Sequence, residues 1–253
     1  MPKNILMLAT FGLEIVEVGG TLALHAQAGD NVHAAVFLGR ETSPHIPTRP
    51  QITQAAEILG VKSVHFLDFS YGDVQFDIPS KMQLVRLFRE LKPDILITQD
   101  PEHSYHDLDP DRRIAMLLYL EAAAIANRDW RIAECGGFAP HSIRHIYYMT
   151  PDHPNCVVEI GSTFALKQKA LDVLGFQLSF TAEFVKRRLS DTNLRNVVPN
   201  YDAVKNDNLE LGRAYHHEAD RALAMYHGIL SHSGAAMAEA FRYQGQFVLD
   251  KLT

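Results

Sequence analysis

The chain has 253 residues, of which 47% are hydrophobic, and a formal net charge of −6. This length and apolar content are enough for one large buried core, and the acidic balance excludes the basic face that binding to nucleic acid requires. The two cysteines, Cys135 and Cys156, exclude a disulfide framework and indicate reduced thiols in a cytoplasmic protein.

The first predicted strand lies in residues 5–9, a short apolar run typical of a parallel strand that is buried on both faces. It is too short to span a membrane, and no signal-peptide cleavage pattern follows it. A helix is predicted over 19–28, where Gly29 ends it. The loop between these two elements lies where α/β proteins usually place a reaction centre. The other elements predicted up to residue 98 are a strand at 32–38, a loop at 39–48, helices at 50–59 and 81–91, and strands at 64–69 and 94–98.

Residues 100–109 form a predicted polar loop that leads into a long helix. Asp109 is the predicted cap of this helix, Pro110 is its first residue, and it ends near Asn127. The remaining predictions are strands at 145–149 and 156–160, a helix that is capped by Ser162 and ends before Gly175, and a mainly helical C-terminal part with an irregular polar stretch at 191–208.

The alternation of four strands with helices predicts a Rossmann-like α/β fold with right-handed crossovers. In this fold a mostly parallel sheet is flanked by helices, and a mainly helical elaboration follows at the C-terminal end. We expect a single domain over residues 1–253, with the Rossmann-like core in 1–130 and the C-terminal strands and helices in 131–253.

Short motifs along the chain carry a resemblance to a known family. They are Gly19-Gly20-Thr21, Arg49 at the start of the second helix, Leu59-Gly60-Val61, Leu67-Asp68-Phe69, Lys92-Pro93-Asp94-Ile95, Asp109-Pro110-Asp111, the helix over 166–177, and Ala238-Glu239-Ala240-Phe241-Arg242. In order and spacing they resemble the PIG-L/LmbE-like superfamily, whose best-known members are zinc-dependent N-acetylglucosaminyl deacetylases. The resemblance implies a deacetylase-type hydrolase of a small, sugar-like substrate that assembles as a homo-oligomer.

The metal-binding motifs of that superfamily are altered in this chain. The superfamily has an Ala-His-Pro-Asp-Asp loop and a His-Pro-Asp-His helix start, and the resemblance implies that the first His, the last Asp and the last His hold zinc. Here Ala9 is kept, and Gly12 stands at the position of the general base. Thr10, Leu13 and Arg112 stand at the three ligand positions. Because leucine has no donor atom and arginine is a permanent cation, we expect that the usual zinc ligands are replaced.

Two carboxylates and two imidazoles offer an alternative metal site. Glu14 and Glu17 follow the altered loop, and His103 and His106 lie in the polar loop that is expected to face the same cleft. These residue types bind transition metals, so a relocated zinc site is one interpretation. The competing interpretation is that the glutamates complement the positive end of the first helix and that the histidines lie at the surface.

Two arginines indicate instead that the cleft binds an anion. Arg112 places a positive charge at a zinc-ligand position and can bind a substrate carboxylate through two hydrogen bonds. It can also neutralise Asp109, Asp111 or Glu14 in the cleft. Arg49 stands at a position that contacts substrate in the resembled superfamily. The competing interpretation places Arg112 on the exposed first turn of a helix.

Two aspartates complete the predicted site. Asp111 keeps the second carboxylate of the helix-start motif, where the resemblance implies a supporting role in catalysis; complementarity to the helix dipole explains it equally well. Asp73 follows the third strand and can accept hydrogen bonds from substrate hydroxyls, although a turn also explains an aspartate there. The predicted catalytic residues are Asp111, Glu14 and His106, and the predicted substrate-binding residues are Arg49, Arg112, Asp73, His103 and Thr10.

Three functions are consistent with these residues. The first is an N-acyl deacetylase-like hydrolase of a small polar, sugar-like substrate, with the usual zinc ligands replaced. The second is an enzyme without metal, or with a relocated metal, that acts on a small carboxylate as the hydratases of the superfamily do. The third is a binding or scaffold protein that has lost catalysis. None of the three implies a nucleic-acid or membrane partner.

Overall fold

One sheet of seven strands runs through the computed structural model, which describes residues 1–38, 48–230 and 234–245. The strands are β1 (Asn4–Ala9), β2 (Asn31–Val36), β3 (Ser63–Phe66), β4 (Ile95–Gln99), β5 (His145–Met149), β6 (Cys156–Glu159) and β7 (Ala238–Tyr243). Their order in the sheet is β3-β2-β1-β4-β5-β7-β6. The first five strands in this order, β3, β2, β1, β4 and β5, pair in parallel with their neighbours, whereas β7 is antiparallel to both β5 and β6. The predicted Rossmann-like, mostly parallel sheet is therefore confirmed.

Helices flank the sheet and extend the C-terminal part. The α-helices of the described ranges are α1 (Glu14–Glu17), α2 (Gly19–Gln27), α3 (Thr48–Ile58), α4 (Ile78–Leu91), α5 (Pro110–Ala126), α6 (Phe164–Asp172), α7 (Gly175–Arg188), α8 (Asp191–Val197), α9 (Tyr201–Val204) and α10 (Asn208–Met225). A 3₁₀ helix spans Pro101–Tyr105, and a π-helical turn spans Tyr226–Leu230. Asp109 caps α5 as predicted, since its carboxylate accepts the backbone N–H of Arg112 at 2.9 Å. In the part of the chain that the structure describes, every helix is too short or too polar to cross a membrane.

The side chains of β1 alternate between two buried layers. Ile5 and Met7 pack on one face with side chains of α2, α3 and α6, and Leu6 and Leu8 pack on the other face with side chains of α4 and α5. All four are almost completely buried. Because helices cover both faces of the strand, its sequence is a continuous apolar run rather than an alternating one.

Three details of the C-terminal half differ from the sequence prediction. Thr163, rather than Ser162, precedes the first residue of α6. The stretch at 191–208, predicted as irregular, contains the short helices α8 and α9. Strand β7 lies in a part that was predicted to be mainly helical. The predicted loop at 39–48 falls outside the described residues except for Thr48, and the single-domain division at residue 130 stays a prediction.

An ion pair between a partly buried arginine and a fully buried aspartate ties β7 to the central strands. Arg242 donates from Nε and Nη2 to the two carboxylate oxygens of Asp100, at 2.7 and 2.5 Å. Asp100 directly follows β4 and is fully buried. Burial disfavours the charged carboxylate, but the hydrogen bonds from Arg242 and from the Glu102 N–H, together with the positive charge of Arg242, outweigh it and hold the pKa of Asp100 below its usual 3.8. The Arg242 guanidinium also lies 4.5 Å from the ring centroid of Tyr148 on β5.

Helices α7 and α10 pack at Gly212 with no room for a side chain. A Cβ atom at this position would lie 1.9 Å from the carbonyl oxygen of Leu178 and 2.5 Å from its carbonyl carbon. Both are backbone atoms of α7, so a rotamer change cannot relieve the clash. The two helices must move apart to admit a methyl group.

We therefore expect Gly212→Ala to lower the free energy of unfolding by about 1–3 kcal/mol, the usual cost of overpacking. In an unhindered helix the same substitution stabilises by about 1 kcal/mol, so the sign of the effect is informative. Urea unfolding measures it, with Arg221→Ala at an exposed position of the same helix as the control, expected within about 0.5 kcal/mol of wild type. A Gly212→Ala protein that is as stable as wild type would contradict the close packing.

Candidate functional site

A cleft of about 660 Å³ opens beside the carboxyl ends of β1 and β4. These are the two strands from which the sheet order runs in opposite directions, so the cleft lies at the topological switch point, the usual ligand site of such sheets. Its polar lining residues are Glu14, Glu17, Thr48, Arg49, Gln99, Asp109, Arg112 and Gln177. Its apolar and aromatic lining residues are Phe11, Leu13, Leu38, Ile52, Phe66, Tyr71, Phe176 and Phe180.

The Glu14 carboxylate organises the loop that follows β1. It accepts hydrogen bonds from the backbone N–H groups of Thr10, Phe11 and Gly12, at 2.8–3.2 Å. Gly12 has a φ of 109°, a conformation that favours glycine, and its N–H makes the shortest of these bonds. Glu14 itself is only 3% exposed. The loop is therefore folded around an anion that its own chain supplies.

Thr10 and Gln99 connect this loop to β4. The Thr10 hydroxyl is fully buried and donates to the side-chain carbonyl oxygen of Gln99 at 3.1 Å. Gln99, the last residue of β4, lines the cleft. Among the described residues no hydrogen bond from the amide NH₂ of Gln99 is found, so this group can donate to a ligand.

Glu17 on α1 lines the cleft and has a pKa near neutrality. Burial, reinforced by the nearby charge of Glu14, raises the pKa of Glu17 from its usual 4.5 to about 7. Glu17 also lines a second cavity of about 200 Å³, together with Lys167 and Asp220. Lys167 Nζ donates to the backbone carbonyl of Glu17 at 2.6 Å and to Glu239 Oε1 at 2.9 Å. A carboxylate that titrates near neutral pH thus stands between two cavities.

The two predicted arginines both line the cleft, but Arg112 has a different partner from those expected. Its Nε atom lies 2.8 Å from Asp107 Oδ2, and within the described residues no other carboxylate lies within 4 Å of its side-chain nitrogens. The expected pairing with Asp109, Asp111 or Glu14 is corrected accordingly. The Arg112 guanidinium lies 5.6 Å from the ring centroid of Phe11.

Arg49 lines the same cleft from the start of α3. Its guanidinium pairs with the carboxylate of Asp68 and lies 4.8 Å from the ring centroid of Phe66. Two cations therefore line one cleft, as the anion-binding interpretation requires, and each is already paired with an aspartate. A substrate anion would compete with, or bridge to, these existing pairs.

Five predicted residues lie away from the cleft lining, and one of them is Thr10, the buried residue that donates to Gln99. Asp111 is buried and accepts the backbone N–H of Gly72 at 2.6 Å, so it holds the loop that carries Tyr71. Asp73 is exposed, with its backbone N–H in a turn to the Ser70 carbonyl. His103 and His106 do not line the cleft.

The two histidines approach Asp152 instead of the two glutamates. In the described part of the chain, the one group of three or more metal-ligating side chains is His103, His106 and Asp152. The predicted combination of Glu14 and Glu17 with these histidines is therefore not assembled there. The catalytic and substrate-binding roles that the sequence assigns to these residues stay predictions.

The cleft residues do not fit the zinc ion that the superfamily implies. None of the described lining residues is a histidine or cysteine. Leu13 packs against the hydrophobic core, and the Glu14 oxygens already accept three backbone N–H groups. Arg112 adds a permanent positive charge that repels a cation.

Sequence reasoning missed the importance of Glu17 and Gln99. The sequence suggests Glu17 as a metal ligand or as a complement to the helix dipole, because its raised pKa depends on burial that no local pattern reveals. Gln99 directly follows the strand predicted at 94–98 and ends the observed β4 at the switch point, and that position was the available signal. Phe176 and Phe180 lie on α7, more than seventy residues after Gln99 in the sequence, and no sequence pattern links them to the cleft.

Comparisons with known proteins agree with the architecture. No protein-family model matches the chain. Diacetylchitobiose deacetylase from Thermococcus kodakarensis is 33% identical over 123 residues, which are 47% of this chain and 45% of the relative. The chain spans a little under half the length of the curated relatives that it matches.

Two of the solved structures that resemble the chain cover nearly all of it. N,N′-diacetylchitobiose deacetylase from Pyrococcus horikoshii, in complex with an inhibitor, has a TM-score of 0.69 at 20% identity and covers 96% of this chain and 84% of its own. The 4-carboxy-2-hydroxymuconate hydratase GalB from Pseudomonas putida has a TM-score of 0.68 at 20% identity and covers 99% of this chain and 100% of its own. The sequence match confirms the resemblance to PIG-L/LmbE-like deacetylases, and the structural matches show the fold.

Proposed function

We propose that this chain is a deacetylase-like hydrolase that removes an acyl group from a small, sugar-like amide, without zinc at the superfamily position. The match to a curated deacetylase supports the reaction class. The observation that carries the proposal is a carboxylate with a pKa of about 7, Glu17, in one cleft with Arg112, whose positive charge acts on it. Together they supply a base and an electrostatic partner, the two elements that amide hydrolysis by water needs.

In the proposed reaction, ionised Glu17 removes a proton from a water molecule as the water oxygen attacks the acyl carbon. The negative charge that develops on the acyl oxygen is stabilised by the Arg112 guanidinium and by the amide NH₂ of Gln99. Glu17 then returns the proton to the nitrogen as the C–N bond breaks. The products are a carboxylic acid and a free amine, and no other reactant is consumed.

The remaining lining residues suit a small polar substrate with an apolar face. Phe11 and Tyr71 have their ring centroids 6.3 Å apart and together present an aromatic surface to the cleft. Aromatic rings pack against the C–H face of a sugar while polar groups bind its hydroxyls. Asp109 and Gln177 line the same cleft and offer hydrogen-bond acceptors. A sugar amide thus matches both kinds of lining.

A second candidate function follows from the arginines. Arg49 and Arg112 place two positive charges on one cleft, which favours a substrate with one or two carboxylates. A hydratase is among the structural neighbours, and it shares only the fold at 20% identity. In that case Glu17 would activate water for addition to a carbon–carbon double bond rather than to an amide carbonyl.

Acetate release tests the first candidate. We expect untagged protein, dialysed against a chelator, to release acetate from N-acetylglucosamine or N,N′-diacetylchitobiose. Arg112→Met should lower kcat/KM by about 10²–10³-fold, the usual effect of removing one oxyanion donor. Arg113→Met, a change at the exposed neighbouring residue, is the matched control and should leave the rate unchanged.

Three other outcomes would contradict the deacetylase proposal. Activity that is lost on chelation and restored by zinc would place the chemistry on a metal. Turnover of unsaturated dicarboxylates, without any acetate release, would favour the hydratase. Binding of either ligand class without turnover would favour a protein that has kept the fold and lost catalysis.

A further inference from the structure

A group of three metal-ligating side chains lies outside the cleft. The atoms that His103, His106 and Asp152 can offer to a metal all lie within 4.8 Å of one another. Two imidazoles and one carboxylate are the donors that divalent transition metals prefer, whereas magnesium and calcium take oxygen donors. The composition of the group therefore selects a class of ion.

The local fold explains why the two histidines converge. His103 lies in the 3₁₀ helix Pro101–Tyr105, and His106 directly follows it. In a 3₁₀ helix the side chains of residues three apart lie above one another. Accordingly the two imidazole rings are 5.2 Å apart between centroids. The Asp100 carboxylate, itself fixed by Arg242, caps this helix by accepting the Glu102 N–H at 2.9 Å.

The third ligand comes from the segment that follows β5. Asp152 Oδ1 lies 3.4 Å from His103 Nε2. Two ligands that each lie about 2.1 Å from a tetrahedral zinc ion are about 3.4 Å apart, so this pair already has the spacing of two zinc ligands. A metal ion here would join the loop after β4 to the loop after β5.

The imidazole nitrogens are also available. His103 Nε2 is buried and has no hydrogen-bond partner among the residues that the structure describes. Within the described residues, no hydrogen bond to either ring nitrogen of His106 is found, and His106 is exposed, so its ring can rotate toward an ion. A buried imidazole nitrogen without a hydrogen-bond partner is costly, and a metal ion would satisfy it.

We propose that His103, His106 and Asp152 form a binding site for a divalent transition-metal ion such as zinc or cobalt. The three protein ligands leave at least one coordination position for water. The site is separate from the lining of the cleft and does not depend on the proposed hydrolase activity.

Such an ion would act on the cleft through the chain that connects them. The backbone N–H of Asp107 donates to the His103 carbonyl at 2.8 Å, and the Asp107 carboxylate contacts Arg112. An ion that fixes the 3₁₀ helix would thereby restrict the position of Asp107. The Arg112 guanidinium would be held more firmly as a result.

Metal titration of the full chain tests the proposal. We expect untagged, chelator-treated protein to bind one equivalent of Zn²⁺ by isothermal titration calorimetry and to show a cobalt absorption band with Co²⁺. Loss of even an outer-shell partner costs about 10–100-fold in metal affinity, so His106→Ala and Asp152→Asn should each weaken binding at least about tenfold. Both residues are exposed, and the thermal melting temperature without metal should stay near that of wild type.

His153 provides the matched control, because it is an exposed histidine next to Asp152 and lies outside the group. His153→Ala should retain the wild-type affinity. The proposal is overturned if wild type binds neither ion, if His106→Ala and Asp152→Asn bind as tightly as wild type, or if His153→Ala loses the ion equally. None of these measurements uses catalytic activity, so they fail or succeed independently of the hydrolase assay.

Discussion

Replacing Glu17 by glutamine is expected to reduce kcat/KM for the sugar amide by about 10²–10⁴-fold, the contribution of a positioned general base. Glutamine keeps the size of the side chain and cannot accept the proton. The backbone carbonyl of residue 17 still accepts from Lys167, so the contact between α1 and α6 is retained. Acetate release is measured for this variant and for Glu57→Gln, a change at an exposed glutamate of α3. The comparison separates the loss of the base from a general effect of removing a negative charge.

The pH dependence of the rate identifies the same group. Because the pKa of Glu17 is raised to about 7, wild-type kcat/KM should rise with pH through neutrality and level off above it. Glu17→Gln should lose this limb of the profile. An unchanged profile in that variant would assign the titration to another residue.

Stability should change with pH in the opposite sense. The folded-state pKa of Glu17 is higher than the usual 4.5, so between about pH 4.5 and 7 the folded protein binds more protons than the unfolded chain. The resulting stabilisation is complete below the unfolded pKa and is lost as the pH rises through 7. Urea unfolding should therefore find Glu17→Gln more stable relative to wild type at pH 8 than at pH 5.

Replacing Arg242 by methionine is expected to destabilise the protein by about 3–5 kcal/mol, because it leaves the charge of Asp100 buried and unpaired. Methionine retains apolar contact with Tyr148, so the packing of β7 on β5 is least disturbed. Urea unfolding at pH 7 measures the loss. A change below about 1 kcal/mol would show that solvent reaches Asp100 and replaces the arginine.

A double variant distinguishes loss of the pair from loss of packing. Arg242→Met combined with Asp100→Asn removes both charges and keeps the cap of the 3₁₀ helix, so it should be more stable than Arg242→Met alone. The pair also has a predictable acid limit. The pKa of Asp100 is lowered from 3.8, so its contribution is complete above that pH and is lost as the pH falls through the folded-state value.

The parallel core could be predicted from the sequence because its signals are local. The run at residues 5–9 is apolar throughout, since β1 is covered on both faces. Asp109 and Pro110 mark the start of α5 by capping chemistry that involves only neighbouring residues. These features need no knowledge of distant parts of the chain.

Strand β7 could not be predicted in this way. Its sequence contains two alanines and a glutamate, which have low strand propensity, and tertiary contacts determine its conformation. Glu239 accepts the backbone N–H groups of Gly20 and Thr21 at 3.0 and 2.8 Å, more than two hundred residues away in the sequence. Hydrogen bonds between residues so far apart in the sequence leave no periodic pattern in the local sequence.

The candidate site was predictable in position and only partly in composition. The switch point follows from the strand order, and Glu14, Arg49 and Arg112, which the sequence assigns to the site, all line one cleft. The pairing of Arg112 with Asp107 and the approach of Asp152 to His103 depend on loop conformations. Side-chain partners across loops are set by the whole fold rather than by spacing in the sequence.

The loop around Glu14 has a consequence for how this architecture can diverge. The Glu14 carboxylate binds three main-chain amides, so a side chain of the protein itself holds the bend after the first strand. The shape of the crevice at this bend therefore does not depend on a bound ion. Residues that line the crevice can therefore be substituted during evolution, and its reaction can change, while its shape is kept.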